Sequence, residues 1–136
     1  KQGFTDMGWE IYPKALTQHL VRITREYSPP PIFITENGMA NADQVIDGHV
    51  PDVERVAYLR EHVKALAQAV DLGVDIRGYF YWSLLDNFEW DSGYTKRFGL
   101  FHVDFGSQKR LAKESAHWYR DFIAGFKASR RTAVAA

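Results

Sequence analysis

Cysteine is absent from all 136 residues, which excludes disulfides, thiolate metal ligands and a cysteine nucleophile. The absence fits a reducing compartment such as the cytoplasm. No apolar run approaches the roughly 20 residues of a membrane span, so no membrane partner is expected. Excess charge is missing too: seventeen basic and seventeen acidic side chains cancel, which gives no reason to expect nucleic acid or an anionic membrane as partner. The five histidines, at 19, 49, 62, 102 and 117, show no His-x-x-x-His spacing, and no metal is expected. The glycines form no phosphate-binding pattern, and no Gly-x-Ser-x-Gly elbow is present.

Aromatic side chains are abundant by contrast, at 15% of the chain. Cores use such residues, and so do sites that lay flat apolar faces against pyranose rings. Pro13 suits a first helical turn, where its missing N–H costs nothing, and Leu16, Leu20, Ile23 and Tyr27 follow on one face. Ser28-Pro29-Pro30-Pro31 ends that helix. Residues 32–35 are a short apolar, β-branched run, the pattern of a strand buried on both sides, with Glu36 at its C-terminal end. The Asn-, Asp- and Gly-rich stretch 37–51 reads as an exposed loop. Asp52 is placed to N-cap a second helix, whose apolar face is Val56, Leu59, Val63, Leu66 and Val70 and whose stop is Gly73. Residues 78–83 then form a second strand, so a right-handed βαβ unit is expected. Residues 84–111 are a long connection, and loops of that length are usually functional. A last helix spans about 113–127 with Trp118, Phe122, Ile123 and Phe126 toward the sheet, and residues 129–136 are expected to fray as a disordered tail.

Two stretches carry apolar residues straight into a carboxylate: Ile34-Thr35-Glu36-Asn37-Gly38, and the run from Gly78 to Trp90 that ends Asp86-Asn87-Phe88-Glu89-Trp90. With Thr5-Asp6-Met7-Gly8-Trp9-Glu10-Ile11-Tyr12-Pro13, Arg97-Phe98-Gly99-Leu100 and Ser115-Ala116-His117-Trp118-Tyr119, they closely resemble motifs of family 1 glycoside hydrolases, the β-glucosidase and β-galactosidase clan. The resemblance runs from about Thr5 to Phe126. It implies an α/β fold, the C-terminal portion of a (β/α)8 barrel. A whole barrel takes about 250 residues, so an incomplete one is expected: a single partial domain, supplying the sixth helix and the seventh and eighth βα units, with two open sheet edges and the N-terminal part of the barrel as its missing partner.

The resemblance also implies roles. Glu36 would be the nucleophile of a retaining β-glycosidase, forming a covalent glycosyl-enzyme intermediate; hydrolysis with retention needs a second carboxyl group about 5 to 5.5 Å away. That acid/base lies in an Asn-Glu-Pro motif in the family, and no Asn-Glu pair occurs here. Glu89 would accept hydrogen bonds from sugar hydroxyls far from the anomeric carbon and Trp90 would donate to a neighbouring one. Trp82 would floor the sugar ring, with a cis peptide joining it to Ser83, and Phe98 would line the pocket near the C6 hydroxyl. Relatives acting on 6-phosphorylated sugars carry a small neutral residue in place of Glu89, and a Lys and a Tyr for the phosphate. Here Lys96 remains, but the Glu89 carboxylate would repel a phosphate dianion and Phe98 replaces the Tyr, so an unphosphorylated β-glucoside is the expected substrate, with water as second substrate and no cofactor. Other readings of the residues are a loop Glu89 salt-bridged to Lys96 or Arg97, a core Trp82, a non-catalytic β-glycoside-binding relative and an idle structural fragment.

Overall fold

The computed structural model describes residues 3–134, with side chains as far as residue 128. Chain order is α1 (Pro13–Tyr27), β1 (Ile32–Asn37), α2 (Val53–Asp71), β2 (Ile76–Tyr81), a 3₁₀ turn (Trp90–Ser92), β3 (Phe101–Val103), β4 (Arg110–Ala112) and α3 (Glu114–Val134). Strands β1 and β2 pair in parallel and β3 and β4 pair antiparallel, giving two separate two-stranded sheets. Both outer edges of the parallel pair are therefore free of strand partners among the described residues.

Pro13 opens α1, and the helix ends where Ser28 turns left-handed at φ 45° and its N–H reaches the Thr24 carbonyl. Proline at this first position loses no hydrogen bond, and the prolines that follow cannot continue the helix. Helix α2 stops before Gly73, whose φ of 91° favours glycine. The helices pack on one face of the parallel pair. Leu20, Leu66, Ala69 and Val74 form one core with Ile32, Ile34 and Ile76 against it, while Met39, Tyr58, Leu59, Tyr81 and Leu100 form a second. Burying each such aliphatic side chain stabilises the fold by roughly 1.5–3 kcal/mol.

Residues 32–35 were expected to be covered on both sides, and they are covered on one. Phe33 and Phe80 stand on the face opposite the helices, more than half exposed. In a two-stranded sheet that face meets only solvent, which is why the buried-strand pattern and the observed exposure part company.

The register of β1 decides where its acid points. Ile34 lies opposite Tyr79 but Asn37 lies opposite Tyr81, so β1 spends one more residue than β2 over this interval. Side chains alternate faces along a strand, and an extra residue resets the alternation. Without the bulge Glu36 would share the helix-covered face of Ile32 and Ile34. With it, Glu36 is exposed and Asn37 turns back under the helices.

Four further expectations need correction. The buried face of α2 comprises Arg55, Tyr58, Leu59, His62, Ala65, Leu66 and Ala69, so it is rotated from the valine line and leaves Val70 half exposed. Its polar members are buried because each has a partner, as charged and hydrogen-bonding groups require. Asp52 does not cap α2 through its side chain. Its carboxylate instead accepts the Ser115 backbone N–H at 2.8 Å and the Ser115 hydroxyl at 2.5 Å, capping the start of α3. The connection 84–111 also contains the β3–β4 hairpin, whose strands were not foreseen, and helical backbone in α3 continues past residue 127 to Val134, into the stretch expected to fray. Ala135 and Ala136 lie outside the described residues.

Candidate active site

Glu36 sits at the C-terminal end of β1, exposed, and its carboxylate makes no hydrogen bond or ion pair among the described residues. Its neighbour Asn37 is tied down on both sides: Nδ2 donates to the Tyr58 hydroxyl at 3.0 Å and Oδ1 accepts from the Tyr79 hydroxyl at 2.9 Å. Burial pushes the Tyr58 hydroxyl up to about 12 and outweighs the opposing effect of Asn37; burial raises Tyr79 as well, so both phenols stay protonated and able to hold this amide. Asn37 was not singled out by the sequence reading. Its place between Glu36 and Gly38 was the available signal.

Trp82 ends the neighbouring strand. Its N–H donates to the Asn37 carbonyl at 3.1 Å, so Glu36 and Trp82 stand at adjacent ends of paired strands. The indole is 38% exposed, and the peptide between Trp82 and Ser83 is cis. The Ser83 N–H donates to the Phe98 carbonyl at 3.3 Å and the Ser83 carbonyl accepts from Leu100 N–H at 2.9 Å, which fastens the strand end to the Arg97-Phe98-Gly99-Leu100 segment.

Glu89 and Trp90 lie in the loop beyond β2, at a tight turn closed by Glu89 N–H to the Gly93 carbonyl at 2.7 Å. Trp90 adopts φ 35° and is 83% exposed. The half-buried Glu89 carboxylate has no ion pair among the described residues. The two cations that could have claimed it are engaged elsewhere: Lys96 pairs with the Asp6 carboxylate at 3.0 Å and the Asp6 carbonyl at 2.6 Å, and Arg97 pairs with Asp86 at 2.7 Å. Phe98 is the exception in the set. It is 2% exposed, with its ring 6.0 Å from that of Trp9, so its side chain belongs to the packed interior and Trp9 is the half-exposed partner.

Behind these residues lies a buried charge network that the sequence reading missed. Arg55 and Lys113 are wholly buried. Arg55 donates to both Asp43 oxygens, to Asp52 and to the Arg97 carbonyl. Lys113 Nζ bridges Asp43 at 2.5 Å and Asp86 at 2.8 Å. Asp86 also accepts from Gly99 N–H at 2.9 Å and Val103 N–H at 3.3 Å. Burial pushes the Asp86 carboxyl up, but Lys113 and Arg97 outweigh it and hold the group below the usual carboxylate range. Three carboxylates thus face three cations, Arg55, Arg97 and Lys113, and the network closes without net charge.

Two surface hollows, of about 450 and 180 Å³, are lined by residues of α1 and α2 and by the 41–54 region. Neither contains an expected site residue. Glu36, Trp82 and Trp90 are exposed and Glu89 is half-buried, and no group of three or more metal-binding side chains occurs among the described residues.

Sequence comparison accounts for this arrangement. A model of glycosyl hydrolase family 1 matches residues 2–127. The chain belongs to glycosyl hydrolase family 1. It is 51% identical over 129 residues to a bifunctional β-D-glucosidase/β-D-fucosidase of Bifidobacterium breve, covering 91% of this chain and 28% of that protein. It is 46% identical over 121 residues to a 6-phospho-β-galactosidase of Streptococcus equi subsp. zooepidemicus, covering 88% and 26%. The structure of the family 1 β-glucosidase from Exiguobacterium antarcticum B7 superposes with a TM-score of 0.91 at 47% identity, over 94% of this chain and 29% of that one. The Thermotoga maritima β-glucosidase in complex with isofagomine lactam gives 0.89 at 46% identity, over 91% and 28%. The chain spans somewhat over a quarter of the length of these relatives, and its architecture is an incomplete portion of the family's (β/α)8 barrel.

Proposed function

We propose that this chain forms part of a retaining β-glycosidase acting on unphosphorylated β-D-glycosides, most closely a β-glucosidase. Glu36 is the nucleophile in this reading. One carboxylate oxygen attacks the anomeric carbon, the bond to the glycosidic oxygen breaks, and that oxygen takes a proton from an acid outside this chain. Water then cleaves the glycosyl ester, returning the sugar with its original anomeric configuration and regenerating Glu36. The observation that carries the proposal is the state of Glu36. A carboxylate left free of partners among the described residues, at a strand's C-terminal end and beside an aromatic platform on the adjacent strand end, supports this role, because a nucleophile must be unengaged to attack.

Glu89 and Trp90 hold the sugar's distal hydroxyls, a carboxylate accepting and an indole N–H donating. Charge-assisted bonds of this kind reject analogues that leave the fixed group unpaired. Trp82 supplies the floor. Phe98 serves from the interior, backing Trp9 rather than touching the sugar along an open face. The choice of an unphosphorylated substrate rests on charge: Glu89 would repel a phosphate dianion, and the nearby Lys96 is already neutralised by Asp6.

The test is mechanism-based trapping. A barrel-bearing chain that includes this segment is treated with a 2-fluoro β-glycoside, digested, and its labelled peptide sequenced. Label on Glu36 supports the enzyme. Tight glycoside binding with no label anywhere supports a binding relative, and label on another carboxylate removes Glu36 from its role.

A further inference from the structure

Lys113 is the side chain whose charge is shared by a carboxylate from each of the two loops that extend from the strand ends bearing the site. Asp43, on the loop that leaves β1 behind Glu36, and Asp86, three residues before Glu89 on the loop that leaves β2, share its ammonium at 2.5 and 2.8 Å. All three side chains are closed off from solvent. Lys113 itself arrives from a third place, immediately ahead of α3, and its N–H donates to the Leu100 carbonyl at 3.0 Å. We infer that Lys113 is a positioning residue that fixes the separation between the loop behind Glu36 and the loop carrying Glu89; as a statement about sugar binding and turnover, this rests on the function proposed above.

The geometry gives reasons beyond stability. The other contacts of Asp43 and Asp86 run to different groups: Asp43 is held by Arg55 from α2, whereas Asp86 is held by Arg97, Gly99 and Val103 within its own connection. The β1 loop is thus braced by α2 and the β2 loop within its own connection; the backbone bond from Asn41 N–H to the Arg97 carbonyl at 3.1 Å joins them at one point, and the ammonium is the tie between their two carboxylates. An ammonium suits this task because three donors radiating from one atom can face two carboxylates and leave a third direction free. Arg55 reaches the Arg97 carbonyl at 2.8 Å and adds a second, indirect link at the base of the connection, but it makes no bond to Asp86.

The test compares Lys113→Met with Ser115→Ala in the full-length protein. Ser115→Ala removes a buried hydrogen bond to Asp52 at the same helix start and touches neither Asp43 nor Asp86. Thermal midpoints are measured first, and kinetics and amide hydrogen exchange are then read well below them. For Lys113→Met the expectation is a tenfold or larger fall in kcat/KM, weaker binding of a competitive glycone inhibitor, and faster exchange in 38–49 and 84–93 together. Ser115→Ala should lower the midpoint while leaving kinetics and exchange in both segments within twofold of the parent. If Lys113→Met also stays within twofold in exchange and kinetics, the residue is structural only and the inference fails. Should that variant not fold, Asp43→Asn, which keeps the pairs of Asp86 and loosens the tie to the β1 loop, carries the same readouts and criteria. A parent protein that cleaves no glycoside and takes no label at Glu36 would defeat the proposed activity, whereas the exchange of the two segments would still decide whether Lys113 couples them.

Discussion

A Cβ added to Gly38 would lie 1.7 Å from the carbonyl oxygen of Trp82. The backbone after β1 thus runs directly against the end of β2, and only glycine permits the approach. Gly38→Ala must push the two strand ends apart. A loss of about 1–3 kcal/mol in unfolding free energy is expected, the usual range for overpacking, and denaturant titration would measure it. Labelling at Glu36 by a 2-fluoro glycoside should slow in the same variant, since the strand end that aims Glu36 has moved.

Asp52→Ala removes one carboxylate from the neutral network around Arg55 and the cap at the start of α3 in a single step. Breaking one member of a buried ion pair typically costs about 3–5 kcal/mol because the remaining charge is left uncompensated. Calorimetry should find this variant far less stable than Asp75→Ala, which cuts only an exposed pair with Arg77.

Acid should lower the protein's stability over two pH ranges. Burial lowers the pKa of His62 from its ordinary 6.5, opposed by the Tyr58 carbonyl and Glu61, so the unfolded chain takes up this proton more readily than the folded one. Its contribution is whole above about pH 6.5 and declines as pH falls below that. Asp86, held below its ordinary value by Lys113 and Arg97 against burial, contributes fully above about pH 3.9, and that contribution is lost as pH drops further. Unfolding free energies measured from pH 7 to 3 should show both declines, and His62→Gln should reduce the first, to which His102, also lowered by burial, contributes as well, without changing the second.

Glu89→Gln should raise KM for an unphosphorylated aryl β-glucoside and lower kcat/KM by about 10- to 100-fold, as hydrogen bonds to charged groups contribute roughly 1.5–3 kcal/mol. Steady-state kinetics decides it. An unchanged KM would remove Glu89 from sugar binding.

The purified 136-residue chain should not turn over an aryl β-glucoside. It contains no partner carboxylate in an Asn-Glu pair, and general acid catalysis typically supplies about 10² to 10⁴-fold. Turnover above a Glu36→Ala control would overturn this.

Much of the fold was legible because local chemistry and tertiary structure agree in it. Pro13 and the spacing of Leu16 and Leu20 give α1 its observed bounds, and the apolar run before Glu36 locates β1. The charge network was illegible for the opposite reason. Arg55 and Lys113 look like solvated residues in any local window, and Lys113 meets Asp43 across 70 positions of sequence. A hint existed at Arg55, which lies four residues before Leu59 on the face that α2 buries. The hairpin strands, three residues each, are too short to display an alternation. Phe98 was placed in the pocket by analogy, and its burial against Trp9 follows from packing that no motif encodes.

The bulge in β1 makes chain length itself a constraint. One residue fewer between Ile34 and Asn37 would remove the extra residue and redirect the strand end at which the Tyr58 and Tyr79 hydroxyls hold Asn37 beside the acid. Single-residue deletions there should consequently be lost from any functional library of variants, while insertions around the Asp47-Gly48 turn, where the chain bends through solvent, should survive.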